Sequence, residues 1–386
     1  MQIVACLLAP SLPATRPRRG RAASPTAAPE PSPPAASSSA WSGPFARDLT
    51  AALLFTALAA AIVLAVRALG HDWRRSEFIL LVALLCFPLF ALRRRSVRFG
   101  LAFGGVLVIS PLAGGSERPI IHAERSFFGI HRIQASRYAE GLMHRLVHGT
   151  TVHGMQWIDP ERCDEPLSYY HRLGPAGQVF EALGREPRAR TVGVVGLGTG
   201  ALSAYSEPGQ SWTYFEIDPA VVRIASNPGW FCYLARSPAR YRVLLGDARL
   251  SLAADTSRYD LLVMDAYTSD AIPVHLLTRE AFGQYVDRLR PHGVLVLHLS
   301  NIHFDLGPVV ARIARDAGLA CLMRSDGSRA ARGAPRGFLP SSWAVVAREE
   351  GDLAPLAADA RWRSLRLAAR SPLWTDDYSS LVSVLR

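Results

Sequence analysis

The chain has 386 residues, of which 49% are hydrophobic, and it carries a formal net charge of +11. That length suits one catalytic-sized domain plus an appended region, and the apolar excess favours membrane segments. All 43 basic residues are arginine, which excludes the lysines of phosphate-binding P-loops and of Schiff-base enzymes. The five cysteines form no C-x-x-C pair, so neither a disulfide framework nor a zinc knuckle is expected.

The N-terminal third is predicted to be a tail followed by membrane helices. Residues 1–46 are rich in Pro, Ala and Ser and bury too little apolar surface to order themselves, so they are a disordered tail or a targeting segment. Leu49–Val66 is close to the ~20 apolar residues that span a bilayer. Phe78–Leu92 is a shorter second span, and Phe99–Gly115 is a third span or a re-entrant hairpin. The basic excess flanks these runs, which indicates membrane topology rather than binding to nucleic acid.

The texture of the sequence changes after Gly115. Residues 116–160 alternate apolar and polar side chains and are broken by glycines, which predicts a small antiparallel β unit. The stretch PLSYYHRLGPAGQVFEAL is expected to be helical. Short β runs then alternate with helical patterns, which predicts an α/β domain with a parallel sheet. Strands are expected at Thr191–Val195, Ser211–Ile217, Tyr241–Leu245, Asp260–Asp265, Gly293–Leu299, near Leu319–Met323, and at Trp343–Val346.

A glycine loop follows the first of these strands. Gly196, Gly198 and Gly200 let the backbone approach a ligand, and a helix beginning there would favour an anion. Gly200 comes one position early for a dinucleotide fingerprint, so a nicotinamide cofactor is the lesser alternative. Glu216, twenty residues after Gly196, ends the second strand and can accept both ribose hydroxyls.

Two more carboxylates end the following strands. Asp247 follows the third strand and can accept from an adenine amine, and Asp265 ends the fourth. Open α/β sheets bind ligands at this edge, so the conjunction favours a nucleoside site. Each feature also has a structural explanation: the glycines as a tight turn, and the carboxylates as helix caps.

At this point the residues resemble the spermidine synthase (polyamine aminopropyltransferase) family, most closely its members fused to major-facilitator-like membrane helices. The resemblance rests on HGTTVHGMQ, SYYHRLGP, GLGTG, FEID, GDA, MDAYTSDAIPVHLLTREAF and LWTDDYSSLVSVLR, in the family's order over about two-thirds of the chain. It implies a Rossmann-like sheet of the S-adenosylmethionine-methyltransferase type. It further implies that Gln156 and Tyr169 contact substrate, that Ala248 joins Asp247 at the adenine, and that Asp265 takes a proton from the attacking amine.

The chain departs from that family at two positions. Thr199 stands where aminopropyltransferases carry a loop Asp, and Thr268 stands where they carry a second Asp after Asp265. Either decarboxylated or intact S-adenosylmethionine therefore suits the glycine loop. Asp270 is a candidate for the far end of a diamine, and Tyr267 for closing over the substrate. The alternatives are a methyltransferase and a non-catalytic domain that senses nucleosides or polyamines.

The remaining expectations concern metals, organisation and location. His144, His148 and His153 lie on strands and turns that give them no common face, so no metal is expected. We expect a polyamine-type amine as substrate, no nucleic-acid partner, and a homodimer as one assembly. An adenosyl donor implies a bacterial inner membrane protein with its catalytic domain in the cytoplasm. The predicted segments are a tail (1–46), two or three transmembrane helices (47–115), the β unit (116–160) and the catalytic domain (161–386).

Overall fold

The structure is a computed structural model that describes residues 42–68, 96–113, 118–185, 187–266, 273–301, 303–327, 333–365 and 371–385. It divides into two compact units, Met1–Gly115 and Ser116–Arg386. The predicted β unit and the α/β domain therefore belong to one compact unit.

The first unit contains two helices, α1 (Ser42–Ala68) and α2 (Ser96–Ala113). They pack through small side chains, with Ala52 against Ala102. Among the residues that the structure describes, no helix is both long enough and apolar enough to cross a membrane. The spans predicted at Leu49–Val66 and Phe99–Gly115 are thus not supported, and the one at Phe78–Leu92 lies outside the described residues.

The second unit begins with a four-stranded antiparallel sheet in the order β1-β2-β3-β4. The strands are β1 (Ile120–Ser126), β2 (Gly129–Tyr138), β3 (Gly141–His148) and β4 (Thr151–Trp157). Two-residue turns join β1 to β2, β2 to β3 and β3 to β4, so neighbours in sequence are neighbours in the sheet. This is the antiparallel unit that the alternating pattern predicts.

A seven-stranded sheet forms the rest of the unit, in the order β10-β11-β9-β8-β5-β6-β7. Its strands are β5 (Thr191–Val195), β6 (Ser211–Glu216), β7 (Arg240–Leu245), β8 (Tyr259–Met264), β9 (Leu289–His298), β10 (Ala320–Ser325) and β11 (Ser342–Ala347). Strands β5 to β9 pair in parallel. Strand β11 is antiparallel to both of its neighbours, β9 and β10, so β10 runs in the same direction as β5 to β9. This is an α/β fold with a Rossmann-like, methyltransferase-type sheet, as expected. The chain moves outward from β5 in one direction and from β8 in the other, which opens a crevice at their carboxyl ends.

Helices cover both faces of this sheet. They are α3 (Pro175–Leu183), α4 (Pro219–Ala225), α5 (Ala248–Ala254), α6 (Arg279–Asp287), α7 (Gly307–Asp316) and α8 (Ala354–Ala357). Alternate residues of the central strands enter different cores: Leu261 and Val263 of β8 pack on one face, and Leu262 and Met264 on the other. Burial on both faces explains why these strands read as continuous apolar runs.

The helix predicted at PLSYYHRLGPAGQVFEAL forms over only the second half of that stretch. Only Pro175–Leu183 is helical, with Pro175 at its first position. Ser168 has a φ of 66°, a conformation incompatible with a helix, and its backbone N–H donates to Gly337 O at 2.6 Å. The segment before α3 is therefore an irregular connection that lies against residues 337–339.

Cys163 and Cys232 form a disulfide, contrary to the expectation from sequence. The two residues are 69 positions apart, so no local spacing could reveal the pair. The bond ties the segment after β4 to the loop that follows α4. Cys321 is a free, partly buried thiol.

Candidate active site

A cavity of about 900 Å³ lies at the carboxyl ends of the parallel strands. Residues that follow β5, β6, β7 and β8 form one side of it. The four-stranded sheet closes another side through residues of β2, β3 and β4. Of the residues predicted from sequence, the cavity gathers Tyr169, Gly196, Gly198, Glu216, Asp247, Ala248 and Asp265.

The glycine loop is shaped by close backbone approaches. Gly196 has a φ of 91°, and a Cβ there would lie 2.3 Å from the carbonyl oxygen of Asp265. A Cβ on Gly198 would lie 2.7 Å from the carbonyl oxygen of His153. Gly200 packs against Leu234 and does not line the cavity. The element after the loop is a five-residue 3-10 turn that ends before Ser206, not the expected α-helix. This described segment therefore lacks the α-helix N-terminus that was expected to favour an anion.

Glu216 braces this loop from the end of β6. Its Oε2 accepts from the N–H of Leu197 at 2.9 Å, and its Oε1 accepts from the N–H of Asp218 at 2.9 Å. Burial raises the pKa of the Glu216 carboxyl, although these backbone donors oppose the shift. Each carboxylate oxygen has a second lone pair, so Glu216 can still accept from a ligand hydroxyl in the cavity.

Asp247 caps α5 and also faces the cavity. Its Oδ1 accepts from the N–H of Leu250 at 3.0 Å, so the capping explanation holds for this residue. Its Oδ2 lies 3.4 Å from Nε2 of His275. Ala248, the first residue of α5, lines the cavity beside it. The hydrogen bond from Leu250 holds the Asp247 side chain in place and leaves the carboxylate able to accept from a ligand in the cavity.

Asp265 lies between two short hydrogen bonds. The hydroxyl of Tyr170 donates to Oδ2 at 2.6 Å, and Nδ1 of His298 lies 2.6 Å from Oδ1. Burial, followed by the charge of Asp265, raises the pKa of Tyr170 well above its ordinary value, so the tyrosine stays a donor. Sequence reasoning missed both partners. The sequence features that could have indicated them are the position of Tyr170 next to Tyr169 and the presence of His298 near the end of the predicted strand Gly293–Leu299.

Tyr169 and Gln156 have different outcomes. Tyr169 lines the cavity, with its ring centroid 5.2 Å from that of His298. Gln156 is buried away from the cavity wall: its amide donates to Cys163 O at 2.6 Å and accepts from Cys232 N at 2.8 Å. The contact of Gln156 with substrate stays a prediction, and in this structure its amide is used in bracing the disulfide.

Three further predicted positions, Tyr267, Thr268 and Asp270, lie outside the described residues. Thr199 is buried, with its Oγ1 facing Gly154 and lacking a hydrogen-bond partner among the described residues. The glycine loop thus presents no charged side chain to the cavity in the part of the chain that is described.

Three histidines form a row along the cavity wall, and the row includes two of the three for which no common face was expected, His148 and His153. His131 of β2 pairs directly across the sheet with His148 of β3, and their ring centroids are 4.7 Å apart. The ring of His153 on β4 is 5.7 Å from that of His148. Nε2 of His131 lies 2.7 Å from Oδ2 of Asp218, whereas His144 lies apart, with Nδ1 3.2 Å from Trp230 O.

Burial favours the neutral form of two histidines in this row. It lowers the pKa of His148, and it lowers the pKa of His153 to about 4. The described residues contain no group of three ligating side chains placed to hold a metal ion. The row instead supplies the cavity with hydrogen-bonding rings.

The cavity is acidic although the chain is basic. Five carboxylates line it, and none of the described lining residues is arginine: Glu216, Asp218, Asp247, Asp265 and Asp326. Arg324, which is not among the described lining residues, lies 3.1 Å from Asp326, and imidazoles lie beside Asp218, Asp247 and Asp265. The remaining charge favours a positively charged ligand and disfavours a negatively charged one.

The fold and this cavity define a Rossmann-like α/β protein with a carboxylate-centred site. No family model matches the sequence. The chain is 29% identical to the polyamine aminopropyltransferase of Vibrio vulnificus over 196 residues, which is 49% of this chain and 62% of that protein. It is 29% identical over 119 residues to a probable polyamine aminopropyl transferase of Bifidobacterium longum, covering 30% of this chain and 25% of that one.

The matched segments thus span less than two-thirds of either relative. A probable spermidine synthase from Corynebacterium glutamicum is similar in structure, with a TM-score of 0.49 and 14% identity over 68% of this chain and 99% of that one. The sequence comparisons support the resemblance to polyamine aminopropyltransferases over about half of the chain. They leave a fused major-facilitator part unsupported.

Proposed function

We propose that this chain is a spermidine synthase-like transferase that moves an aminopropyl group from decarboxylated S-adenosylmethionine to an amine. One observation carries the proposal: Asp265 is held in a cavity whose described wall contains five carboxylates and no arginine. Both proposed substrates are cations, since the donor carries a sulfonium and an ammonium and the acceptor is a polyamine-type amine. The names of the two sequence relatives agree with this chemistry.

The reaction needs positioning and one proton acceptor. The acceptor nitrogen attacks the carbon bonded to the sulfonium sulfur, the C–S bond breaks, and its electron pair remains on sulfur in methylthioadenosine. The proton displaced from the nitrogen goes to the Asp265 carboxylate. The sulfonium leaves as a neutral thioether and needs no general acid, so holding the reactants in line supplies most of the acceleration.

The nucleoside half of the donor is assigned to the β5–β7 side of the cavity. Gly196 and Gly198 let the chain approach it, Glu216 accepts from the ribose hydroxyls, and Asp247 with Ala248 meets the adenine. These five residues line the same cavity. Tyr169 is assigned to the acceptor side because it lies beside His298, beyond Asp265.

The charge of the wall favours the decarboxylated donor over intact S-adenosylmethionine. The intact donor carries an additional carboxylate, which an arginine-free acidic wall has no described cation to pair with. Thr199 provides no counter-argument, because its side chain faces Gly154 rather than the cavity.

The test is calorimetric binding to the full chain followed by turnover. Decarboxylated S-adenosylmethionine and methylthioadenosine should bind at least about tenfold more tightly than the intact donor. Adding putrescine to the chain with decarboxylated S-adenosylmethionine should then release methylthioadenosine from that donor. Asp265→Asn should keep nucleoside binding and lose about 100-fold or more in kcat. Asp287→Asn, an exposed carboxylate on α6 outside the cavity wall, is the matched control and should keep the rate.

Two other outcomes would overturn the proposal. Preference for intact S-adenosylmethionine, with methyl transfer to an acceptor, would make the chain a methyltransferase. Binding of none of these nucleosides would identify a non-catalytic domain. The homodimer and the location at a bacterial inner membrane stay predictions from the sequence.

A further inference from the structure

His298 and Asp265 meet because of the register of the central sheet. Strands β8 and β9 are parallel neighbours, and Met264 pairs with Leu297. The next residues on the two strands are Asp265 and His298, which therefore lie side by side at the carboxyl edge. Adjacent strands are about 4.8 Å apart, so side chains at matched positions can form a direct hydrogen bond. The Nδ1–Oδ1 distance of 2.6 Å shows that they do.

The partners of His298 differ in what they can donate. In the ionised form that a base requires, the Asp265 carboxylate can only accept, so the 2.6 Å bond to Oδ1 places a proton on Nδ1 of His298. On the other side of the ring, Nε2 lies 2.7 Å from Oγ of Ser300, which also accepts from the N–H of Ser342 at 2.9 Å. The serine therefore holds the imidazole in place from its far side.

The imidazole is also held in its plane. It is 5% exposed and stacks on the indole of Trp343, with ring centroids 4.6 Å apart and planes 16° apart. Tyr169 and Tyr170 lie on its other sides, at 5.2 and 6.3 Å between centroids. Among the described residues, the ionisable groups near the Asp265–His298 pair include these two tyrosines and, from β4, His153, whose titration senses the charge of Asp265. Among these neighbours, Tyr170 is the second donor to the carboxylate.

We infer that His298 is a positioning residue for amine transfer, which holds the Asp265 carboxylate aimed at the acceptor nitrogen through its Nδ1–H. The inference rests on the proposed function. The proton displaced from the acceptor amine goes to Asp265, while the nitrogen–carbon bond forms and the carbon–sulfur bond breaks. His298 exchanges no proton with the substrate in this step. Its hydrogen bond occupies Oδ1 and fixes the direction of the carboxylate.

Two substitutions in the full chain separate the donor from the ring. His298→Phe keeps a ring to stack on Trp343 but removes both nitrogens. It should lower kcat about 10- to 100-fold and leave the donor KM within about twofold. His298→Gln restores an N–H donor without the ring, and kcat should return toward that of the wild type. An unchanged kcat in His298→Phe, or the same kcat in both variants, would overturn the inference.

A measurement without turnover separates this inference from the proposed function. The full chain labelled with ¹⁵N-histidine should show a far-downfield Nδ1–H proton from His298, because the hydrogen bond is short and charge-assisted. That signal should be lost in His298→Gln and in Asp265→Ala, and it should weaken in Ser300→Ala. Its absence from the wild-type chain refutes the positioning role even if aminopropyl transfer is observed. Its presence in a chain that transfers no aminopropyl group refutes the proposed reaction and leaves the pair intact.

Discussion

Replacing Gly196 with alanine should destabilise the second unit and disable the site together. The residue has a φ of 91°, which costs a residue with a side chain about 1–2 kcal/mol. The new Cβ would lie 2.3 Å from the carbonyl oxygen of Asp265, so β5 and the end of β8 must separate by about 1 Å. Overpacking of this kind costs a further 1–3 kcal/mol or so. We expect Gly196→Ala to lower the free energy of unfolding by about 2–5 kcal/mol and to displace Asp265 from its two donors.

Gly318→Ala is the matched control for this change. Gly318 has a φ of 67°, but a Cβ there would meet nothing within 4 Å, so only the backbone cost of about 1 kcal/mol should appear. Urea unfolding followed by tryptophan fluorescence measures both variants, since Trp157, Trp212 and Trp343 are fully buried in the second unit. Equal losses in the two alanine variants would refute the argument that the contact with Asp265 requires a glycine.

Two further predictions concern stability. Burial lowers the pKa of His153 to about 4, below its unfolded value of about 6.5, so the unfolded chain binds the proton first. The contribution of His153 to the free energy of unfolding is therefore fully present above about pH 6.5 and is lost as the pH drops toward 4. His153→Asn should make the free energy of unfolding, measured by urea titrations at a series of fixed pH values, less dependent on pH over this range. An unchanged pH dependence contradicts the lowered pKa of His153. Separately, the Cys163–Cys232 bond closes a loop of 69 positions, and its loss in Cys232→Ser should cost up to about 4 kcal/mol of unfolding free energy. Cys321→Ser, which alters the free thiol, should cost less than half of that, and equal costs would count against a formed disulfide.

The fold was predictable where the chain repeats a local pattern. Strand Thr191–Val195 matches β5 residue for residue, and the alternation after Gly115 predicts the antiparallel sheet. The helix prediction failed at Ser168, because a positive φ and bonds to residues 337–339 override the helical pattern. The glycine loop was predicted, but the short 3-10 turn that follows it was not.

The site was predictable along each strand but not between strands. Carboxylates ending β6, β7 and β8 were expected at one edge because parallel strands share their carboxyl ends. The Asp265–His298 bond depends on the register between β8 and β9, and the histidine row depends on the register of the small sheet. Neither register can be deduced from spacing in one chain. The use of Gln156 to brace Cys163 and Cys232 was hidden for the same reason.

The contrast between the charge of the chain and the charge of its cavity is what connects fold to function. A net charge of +11, all from arginine, would on average place cations around any pocket. The described cavity wall has no arginine, while the ends of β6, β7 and β8 together add four carboxylates and the turn after β10 adds a fifth. Chance does not readily segregate charge in this way, whereas a site for sulfonium and ammonium groups requires it, since each buried cation needs a partner of opposite sign. The electrostatic pattern therefore points to cationic substrates independently of the resemblance in sequence, and it supports the proposal that the adenosyl donor is the one that lacks a carboxylate.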